Sequence, residues 1–140
     1  MSAYVVDASV AAKWLFKEDG SEAAAGLLME GNDLRAPDFL LVEANNIIWK
    51  KIQRREISEA EGRAVRAALR RMPVRMYDTL PLLDAAYEYA IRCGCSVYDG
   101  IYVALADLVG AGIVTADRRL CNIFQMEPSI RVVWVGELVQ

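Results

Sequence analysis

Four acidic residues have the side chains and positions to do chemistry together, namely Asp7, Glu43, Asp99 and Asp117. Asp7 directly follows the apolar run AYVV, Asp117 follows IVT by one residue, and Asp99 opens an apolar helical stretch after a short connection. In an open α/β sheet, ligands bind beyond the carboxyl ends of the strands, where such strand-to-helix junctions lie. A single Asp at a junction is also a common helix N-cap, so the prediction of a site rests on the whole set.

Glu43 lies within FLLVEANNIIW, residues 39–49, where nearly all of the remaining positions are apolar. This pattern predicts a deeply buried helix. A lone buried carboxylate costs free energy unless it is paired, protonated or bound to a cation. The next basic residue along the chain, Lys50, is about two helical turns away. A metal ion is therefore the expected partner of Glu43.

The chain contains no histidine. This excludes imidazole general bases, Ser–His and Cys–His nucleophile pairs and imidazole metal sites. Any hydrolytic chemistry must then run on carboxylates, whose hard oxygens select Mg²⁺ or Mn²⁺. Like charges about 4 Å apart repel by roughly 4 kcal/mol per pair at an effective dielectric near 20, so a cluster of four acids is not expected to serve stability. The three cysteines have no zinc-like spacing and are interpreted as reduced thiols.

Neutral polar residues accompany the acids along the sequence. Ser9 lies two residues after Asp7, Thr115 lies two residues before Asp117, and Asn46 lies one helical turn after Glu43. These three residues are candidate supporting residues of the site. Such groups can orient a carboxylate or hold a water beside a metal ion. Ordinary helix capping and packing explain each of them equally well.

Basic residues are concentrated in one part of the chain. Residues 50–71 contain eight Lys and Arg residues against three Glu residues, a local charge of +5 in a chain of net charge −3. A basic stretch beside an acidic pocket suits an anionic polymer, although a pair of solvated helix faces would give the same pattern. The residues predicted to guide that polymer are Lys50, Lys51, Arg54, Arg55, Arg118 and Arg119.

Strands and helices alternate in the predicted secondary structure. Strands are predicted at residues 3–6, 34–36, 74–77, 113–115 and 131–135, and helices at 8–16, 22–30, 39–54, 59–72, 81–92, 99–109 and 118–124. Asp38 is the expected N-cap of the third helix, and Ser58 with Glu61 forms a capping-box signature for the fourth. Strands separated by helices predict an α/β fold with a mainly parallel sheet and helices on both faces.

Length and hydropathy predict one compact domain. The 140 residues fit a single domain, predicted here for residues 1–140, and 55% of them are hydrophobic. No apolar run approaches the roughly 18 residues that a bilayer crossing needs. The N-terminus has no basic segment before its apolar run, unlike a signal peptide. We therefore expect a cytoplasmic protein with no membrane partner.

Four segments together resemble a known family. VVDASVAAKW, PDFLLVEANNIIWK, SVYDGIYVALA and IVTADRRL are similar, in order and spacing, to the acidic motifs of PIN domains. Most closely they resemble the VapC-type toxins of bacterial and archaeal toxin–antitoxin pairs. The resemblance extends from Asp7 to Val135. It implies a PIN-like three-layer α/β/α sandwich, RNA cleavage dependent on Mg²⁺ or Mn²⁺, a homodimer, and inhibition by a small VapB-like antitoxin.

The same resemblance assigns roles to individual residues. It implies that Asp7, Glu43 and Asp99 are the main metal ligands and that Asp117 completes the acidic cluster. Ser9 and Thr115 match polar positions of the motifs and would be supporting residues. No second acid adjoins Asp117, so one bound ion and two bound ions both remain open.

Other functions are compatible with parts of the pattern. A phosphatase of the haloacid-dehalogenase type also has an Asp after its first strand, but it needs an acid two residues later, where this chain has Ser9. A receiver domain would need a pair of acids before its phospho-acceptor strand and a late lysine, and neither is evident. A PIN-fold nuclease that processes RNA outside a toxin pair, and a PIN scaffold that binds RNA or protein without cleavage, remain alternatives.

Overall fold

The computed structural model describes residues 2–29 and 31–138, and a five-stranded sheet lies at its centre. The strands are β1 Ser2–Val6, β2 Asn32–Pro37, β3 Arg75–Tyr77, β4 Gly112–Thr115 and β5 Val132–Trp134. Their order is β3-β2-β1-β4-β5, and each neighbouring pair is parallel. The prediction of a mainly parallel sheet is confirmed. The single domain predicted for residues 1–140 includes residues 1, 30, 139 and 140, which lie outside the described residues.

Helices connect the strands and cover the sheet. They are α1 Ala8–Leu15, α2 Ser21–Ala25, α3 Phe39–Gln53, α4 Glu59–Leu69, α5 Leu83–Cys93, α6 Val97–Val109 and α7 Arg118–Ile123. Helix α6 packs against β1, β2 and β4 and is covered by α5, whereas α1, α3 and α4 contact one another. Right-handed crossovers place these two groups on opposite faces of the sheet. The predicted α/β/α sandwich is therefore confirmed.

The core is densest around β1, β4 and α6. Val5, Val6, Ile113 and Val114 of the two central strands are fully buried, as is the continuous run of α6 from residue 100 to residue 106. A Cβ atom at Gly100 would overlap the carbonyl oxygen of Ala86 in α5. Glycine is therefore required where α5 and α6 approach each other closely, and that contact fixes the start of α6.

The prediction that α3 is buried on nearly every face is wrong. Only Leu40, Ala44 and Ile48 of this helix are buried, and the side chains of Val42 and Trp49 are 62% and 55% exposed. The reason is its position, because α3 contacts the sheet mainly at β2 and packs more extensively on α1 and α4. Its remaining surface faces solvent despite its apolar sequence.

The predicted helix starts and ends agree with the structure at some positions and differ at others. The capping box of Ser58 and Glu61 is present at the start of α4, as predicted. Asp99 does not open its helix, because the Ser96 side chain caps α6 by accepting a hydrogen bond from the Asp99 N–H. The helix predicted for residues 22–30 is also wrong in extent. Helix α2 ends at residue 25 and continues as a 3₁₀ helix, Gly26–Leu28, and residue 30 lies outside the described residues.

Two further 3₁₀ helices complete the fold, Leu80–Leu82 before α5 and Val135–Leu138 after β5. Among the helices that the structure describes, none has the length and apolar character that a bilayer crossing requires.

Candidate active site

The candidate site lies where the strand order reverses. From β1 the chain moves outward to β2 and β3, and then returns through α5 and α6 to β4 on the other side of β1. Open α/β sheets bind ligands in the crevice at such a switch point, at the carboxyl ends of the strands. Val6 is paired with Val114 in the β1–β4 ladder, so Asp7 and Thr115 follow as neighbours at this edge.

Asp7 is held by hydrogen bonds at both carboxylate oxygens. Its side chain is 8% exposed. Oδ1 accepts from the Ser9 hydroxyl at 2.5 Å and from the Val10 N–H at 3.2 Å, which makes Asp7 the N-cap of α1. Oδ2 accepts from the Thr115 hydroxyl at 2.5 Å. The carboxylate therefore has a single defined orientation.

The two hydroxyls also tie the ends of β1 and β4 together. Ser9 Oγ accepts from the Ala116 N–H at 2.9 Å, and Thr115 Oγ1 accepts from the Asp117 N–H at 3.0 Å. Each hydroxyl thus donates to Asp7 and accepts from the backbone that leads to Asp117. Ser9 and Thr115 lie where supporting residues were predicted.

Burial opposes the negative charge of Asp7. Loss of solvent raises the pKa of its carboxyl above the ordinary value of 3.8, and the nearby charge of Asp117 raises it further. The hydrogen bonds from Ser9, Thr115 and Val10 lower the pKa but do not reverse the shift. The hydrogen-bonded environment orients this carboxylate without supplying a compensating positive charge.

Glu43 meets the other acids from the side of α3. Its Oε1 accepts a hydrogen bond of 2.5 Å from the Tyr102 hydroxyl of α6. Partial burial raises the pKa of Glu43, and the charges of Asp7 and Asp99 raise it further, which places these three acids within electrostatic range of one another. Burial likewise raises the pKa of Tyr102, so its hydroxyl remains a hydrogen-bond donor.

Tyr102 is a site residue that the sequence analysis missed. It is 3% exposed and lies three residues after Asp99 on α6, so its position in the motif was visible. The surrounding apolar residues made it look like an ordinary core side chain. Its hydroxyl needed a partner on burial, and that requirement was the available signal.

Asp99 and Asp117 are joined by an arginine. Nη2 of Arg119 donates to Asp99 Oδ2 at 2.9 Å and to Asp117 Oδ2 at 3.1 Å. Oδ1 of Asp117 accepts from the Arg119 N–H at 2.9 Å, which makes Asp117 the N-cap of α7. Hydrogen bonding to Asp99, together with the charges of both acids, raises the pKa of the Arg119 guanidinium.

The four predicted acids therefore gather at one edge of the sheet, but with side chains turned toward neighbouring donors. Among the described residues, no three acidic or cysteine side chains are close enough together to hold a metal ion directly. The donor set nevertheless fits Mg²⁺ or Mn²⁺, because it consists of carboxylate oxygens near an apolar core. Mg²⁺ commonly uses only one or two carboxylates and keeps several waters, so close approach of three acids is not required.

The other predicted residues lie at varied distances from the acids. Asn46 is exposed, and no hydrogen bond in the described part of the chain joins it to them. Lys50, Arg54 and Arg55 are exposed at the end of α3, and Lys51 pairs with Glu56 at 3.7 Å. Arg118 stacks over the Trp134 ring, 3.6 Å from its centroid. Of the six basic residues predicted to guide RNA, only Arg119 forms ion pairs with the four acids of the site.

The cysteines take no part in this cluster. Cys93, Cys95 and Cys121 are free. Burial and the nearby Asp99 raise the pKa of the Cys95 thiol to about 11, so this side chain stays protonated near neutral pH. A neutral thiol is a poor ligand for a hard cation, which leaves the carboxylates as the relevant donors.

Known proteins share both the sequence pattern and the fold. The family model of the PIN domain matches residues 4–124. The chain belongs to the PIN-domain family. Ribonuclease VapC3 of Pyrobaculum aerophilum is 31% identical over 122 residues, which cover 86% of this chain and 93% of the relative. VapC ribonuclease Mb0985 of Mycobacterium bovis is 33% identical over 129 residues, covering 92% and 97%.

The solved structures agree with this assignment. A chain of a toxin–antitoxin complex from Klebsiella pneumoniae superposes with a TM-score of 0.63 at 13% identity, over 93% of this PIN domain and 95% of that chain. At that identity the likeness concerns the fold. The predicted resemblance to PIN domains of the VapC type is confirmed, and membership of this family removes the phosphatase and receiver-domain alternatives.

Asp7→Asn is expected to raise the melting temperature of the metal-free protein at neutral pH. Because folding raises the pKa of Asp7, the folded state binds its proton more tightly than the unfolded state does. The ionised carboxylate therefore costs stability above pH 3.8. The gain in the Asn variant should be absent below pH 3.8, grow as the pH rises through the folded-state pKa, and then level off.

Thermal unfolding in EDTA between about pH 3 and pH 8 measures this difference. Asp84→Asn is the matched control, because Asp84 lies exposed in the first turn of α5. A lower melting temperature for Asp7→Asn than for the wild type at neutral pH would contradict the account of Asp7.

Proposed function

We propose that this PIN domain is a divalent-metal-dependent endoribonuclease and acts as the toxin of a toxin–antitoxin pair. The observation that carries the proposal is the meeting of Asp7, Glu43, Asp99 and Asp117 at the switch-point edge of the sheet. The names of the relatives support RNA as the substrate, because both are ribonucleases.

The acids would hold one or two ions of Mg²⁺ or Mn²⁺. Asp7, Glu43 and Asp99 are the proposed main ligands, and Asp117 completes the set. When bound, the ion would polarise the scissile phosphate, lower the pKa of a bound water and neutralise the charge that develops on the leaving oxygen. The choice of a hard cation rests on the donor chemistry of the cluster and on the absence of histidine from the chain. The roles of the individual acids follow from the match of their motifs to those of PIN domains.

The protein's own contribution is to orient the carboxylates. Ser9 and Thr115 fix both oxygens of Asp7, so this side chain does not need to reorganise when it becomes a ligand. Tyr102 engages Oε1 of Glu43, while Oε2 makes no hydrogen bond in the described part of the chain. We propose that this free oxygen is the one that faces the ion.

RNA would be guided along the outer side of α3. Helix α3 starts at the carboxyl edge of the sheet, and Lys50 and Arg54 lie about 10 and 16 Å beyond Glu43 along its axis. We propose that Lys50, Lys51, Arg54 and Arg55 contact phosphates distant from the cleaved bond. Arg118, the first residue of α7, would contact the RNA backbone nearer the acids.

We further propose a homodimer and a small VapB-like antitoxin as partners, in the cytoplasm. Four apolar side chains recur at helical spacing before and along α5, and three of them are more than half exposed: Leu80, Leu83, Tyr87 and Ile91. We propose that the second copy of the chain packs on this face.

A cleft of about 840 Å³ borders the site through Ala116, and we propose that a segment of the antitoxin binds in it. The toxin–antitoxin complex among the structural neighbours supports such a partner.

Asp7→Asn and Asp99→Asn are each expected to abolish RNA cleavage while the fold is retained. Loss of a residue that merely supports a ligand typically costs 10- to 100-fold, so loss of a ligand should cost at least about a hundredfold. Cleavage of a labelled RNA pool, followed by circular dichroism of each variant, measures both properties. Excess EDTA should stop the wild-type reaction, and added Mg²⁺ or Mn²⁺ should restore it.

Asp84→Asn provides the control, since it makes the same change on an exposed helix start away from the cluster. Full activity of Asp7→Asn or Asp99→Asn, or of the wild type in EDTA, would contradict the proposed mechanism. RNA binding without cleavage under every metal condition would identify a non-catalytic PIN scaffold instead.

Lys50→Ala combined with Arg54→Ala is expected to weaken RNA binding and to flatten its dependence on salt. Each lost phosphate contact should reduce the slope of log affinity against log salt by about 0.7 for single strands. Fluorescence anisotropy of a catalytically inactive variant at several salt concentrations measures this slope. Arg63→Ala is the control, because Arg63 pairs with Glu59 on exposed α4. An unchanged slope in the double variant would make these residues ordinary surface charges.

A further inference from the structure

Arg119 occupies an unusual place in the acidic cluster. A single nitrogen, Nη2, bridges the Oδ2 atoms of Asp99 and Asp117 at 2.9 and 3.1 Å. In the part of the chain that the structure describes, no other Lys or Arg forms an ion pair with any of the four acids. The partners of Asp7 and Glu43 are hydroxyls and a backbone N–H, which carry no net charge.

The bridge is built so that it can open. The Arg119 side chain is 57% exposed, whereas that of Asp99 is 19% exposed. Ion pairs at this degree of exposure contribute little free energy, so the guanidinium can leave without disrupting the core. The backbone N–H of Arg119 holds Asp117 Oδ1 independently of the side chain, so the cap of α7 would remain in place.

We infer that Arg119 is a tethered counterion of this site, and that a divalent ion bound at Asp99 must displace its guanidinium from the Asp99–Asp117 pair. The inference rests on the proposed function in one respect, which is that Asp99 is a metal ligand. It goes beyond that function by making metal affinity depend on a competing cation supplied by the chain itself.

Displacement has a second consequence for the substrate. A released Arg119 remains attached beside Asp117 at the start of α7, and its planar guanidinium can form two parallel hydrogen bonds with a phosphate. The side chain that neutralises the acids in the metal-free protein is then available to bind the RNA backbone once the ion is bound. Arg119 would contact the substrate directly in this second state.

Arg119→Ala and Arg119→Gln are expected to bind Mn²⁺ more tightly than the wild type, by about three- to tenfold, because two exposed ion pairs no longer compete. Arg119→Lys keeps the charge and should show a smaller gain. Titration of the metal-free protein with Mn²⁺, followed by the electron paramagnetic resonance of free Mn²⁺, measures affinity without reference to cleavage. Circular dichroism verifies the fold of each variant.

Arg118→Ala is the matched control for charge. It removes one positive charge from the adjacent residue, whose guanidinium lies over Trp134 and pairs with none of the acids. The gain of Arg119→Ala should therefore exceed that of Arg118→Ala. Equal gains in the two variants, or weaker Mn²⁺ binding in Arg119→Ala, would overturn the inference. A wild-type protein that binds no Mn²⁺ would overturn the proposed function instead.

Discussion

Negative charge concentrated at one edge of a buried sheet is the constraint on which the rest of the structure depends. The parallel arrangement places Asp7 and Asp117 at the carboxyl ends of adjacent strands, and α3 and α6 add Glu43 and Asp99. Carboxylates so placed lose solvent and repel one another. The fold meets this cost with different partners for different acids: hydroxyls, a phenol and a guanidinium, each supplied by a specific element.

The arrangement links stability to function. Hydroxyl donors at Ser9 and Thr115 orient Asp7 but leave its pKa raised, so the metal-free protein retains an uncompensated charge. The folded protein is therefore less stable than it would be with a neutral side chain at this position. Binding of a cation to the folded state would restore that stability. The close packing of α5 on α6 at Gly100 fixes the position of Asp99 and Tyr102 on α6. Tyr102 can then donate its hydrogen bond to Glu43 of α3. Helices and strands therefore carry the acids, whereas the Arg119 side chain that bridges two of them is 57% exposed.

Sequence reasoning could predict the edge on which the acids meet. Asp7 and Asp117 each follow a buried strand, and in a parallel sheet that position is fixed by topology alone. The capping box at Ser58 was also predictable, because its partners are three residues apart. Tyr102 with Glu43, 59 residues apart, and Arg119 with Asp99, 20 residues apart, depend on the packing of separate helices. No local pattern encodes those contacts. The exposure of the outer face of α3 could not be predicted either, because the residues on that face are apolar.

Anomalous diffraction from crystals grown with saturating Mn²⁺ tests the central claim most directly. The account predicts an anomalous peak at the switch-point edge, within coordination distance of oxygens of Asp7, Glu43 or Asp99, with the Arg119 guanidinium turned away from Asp99. A map without a peak among these acids, in which Arg119 still bridges Asp99 and Asp117, would contradict it.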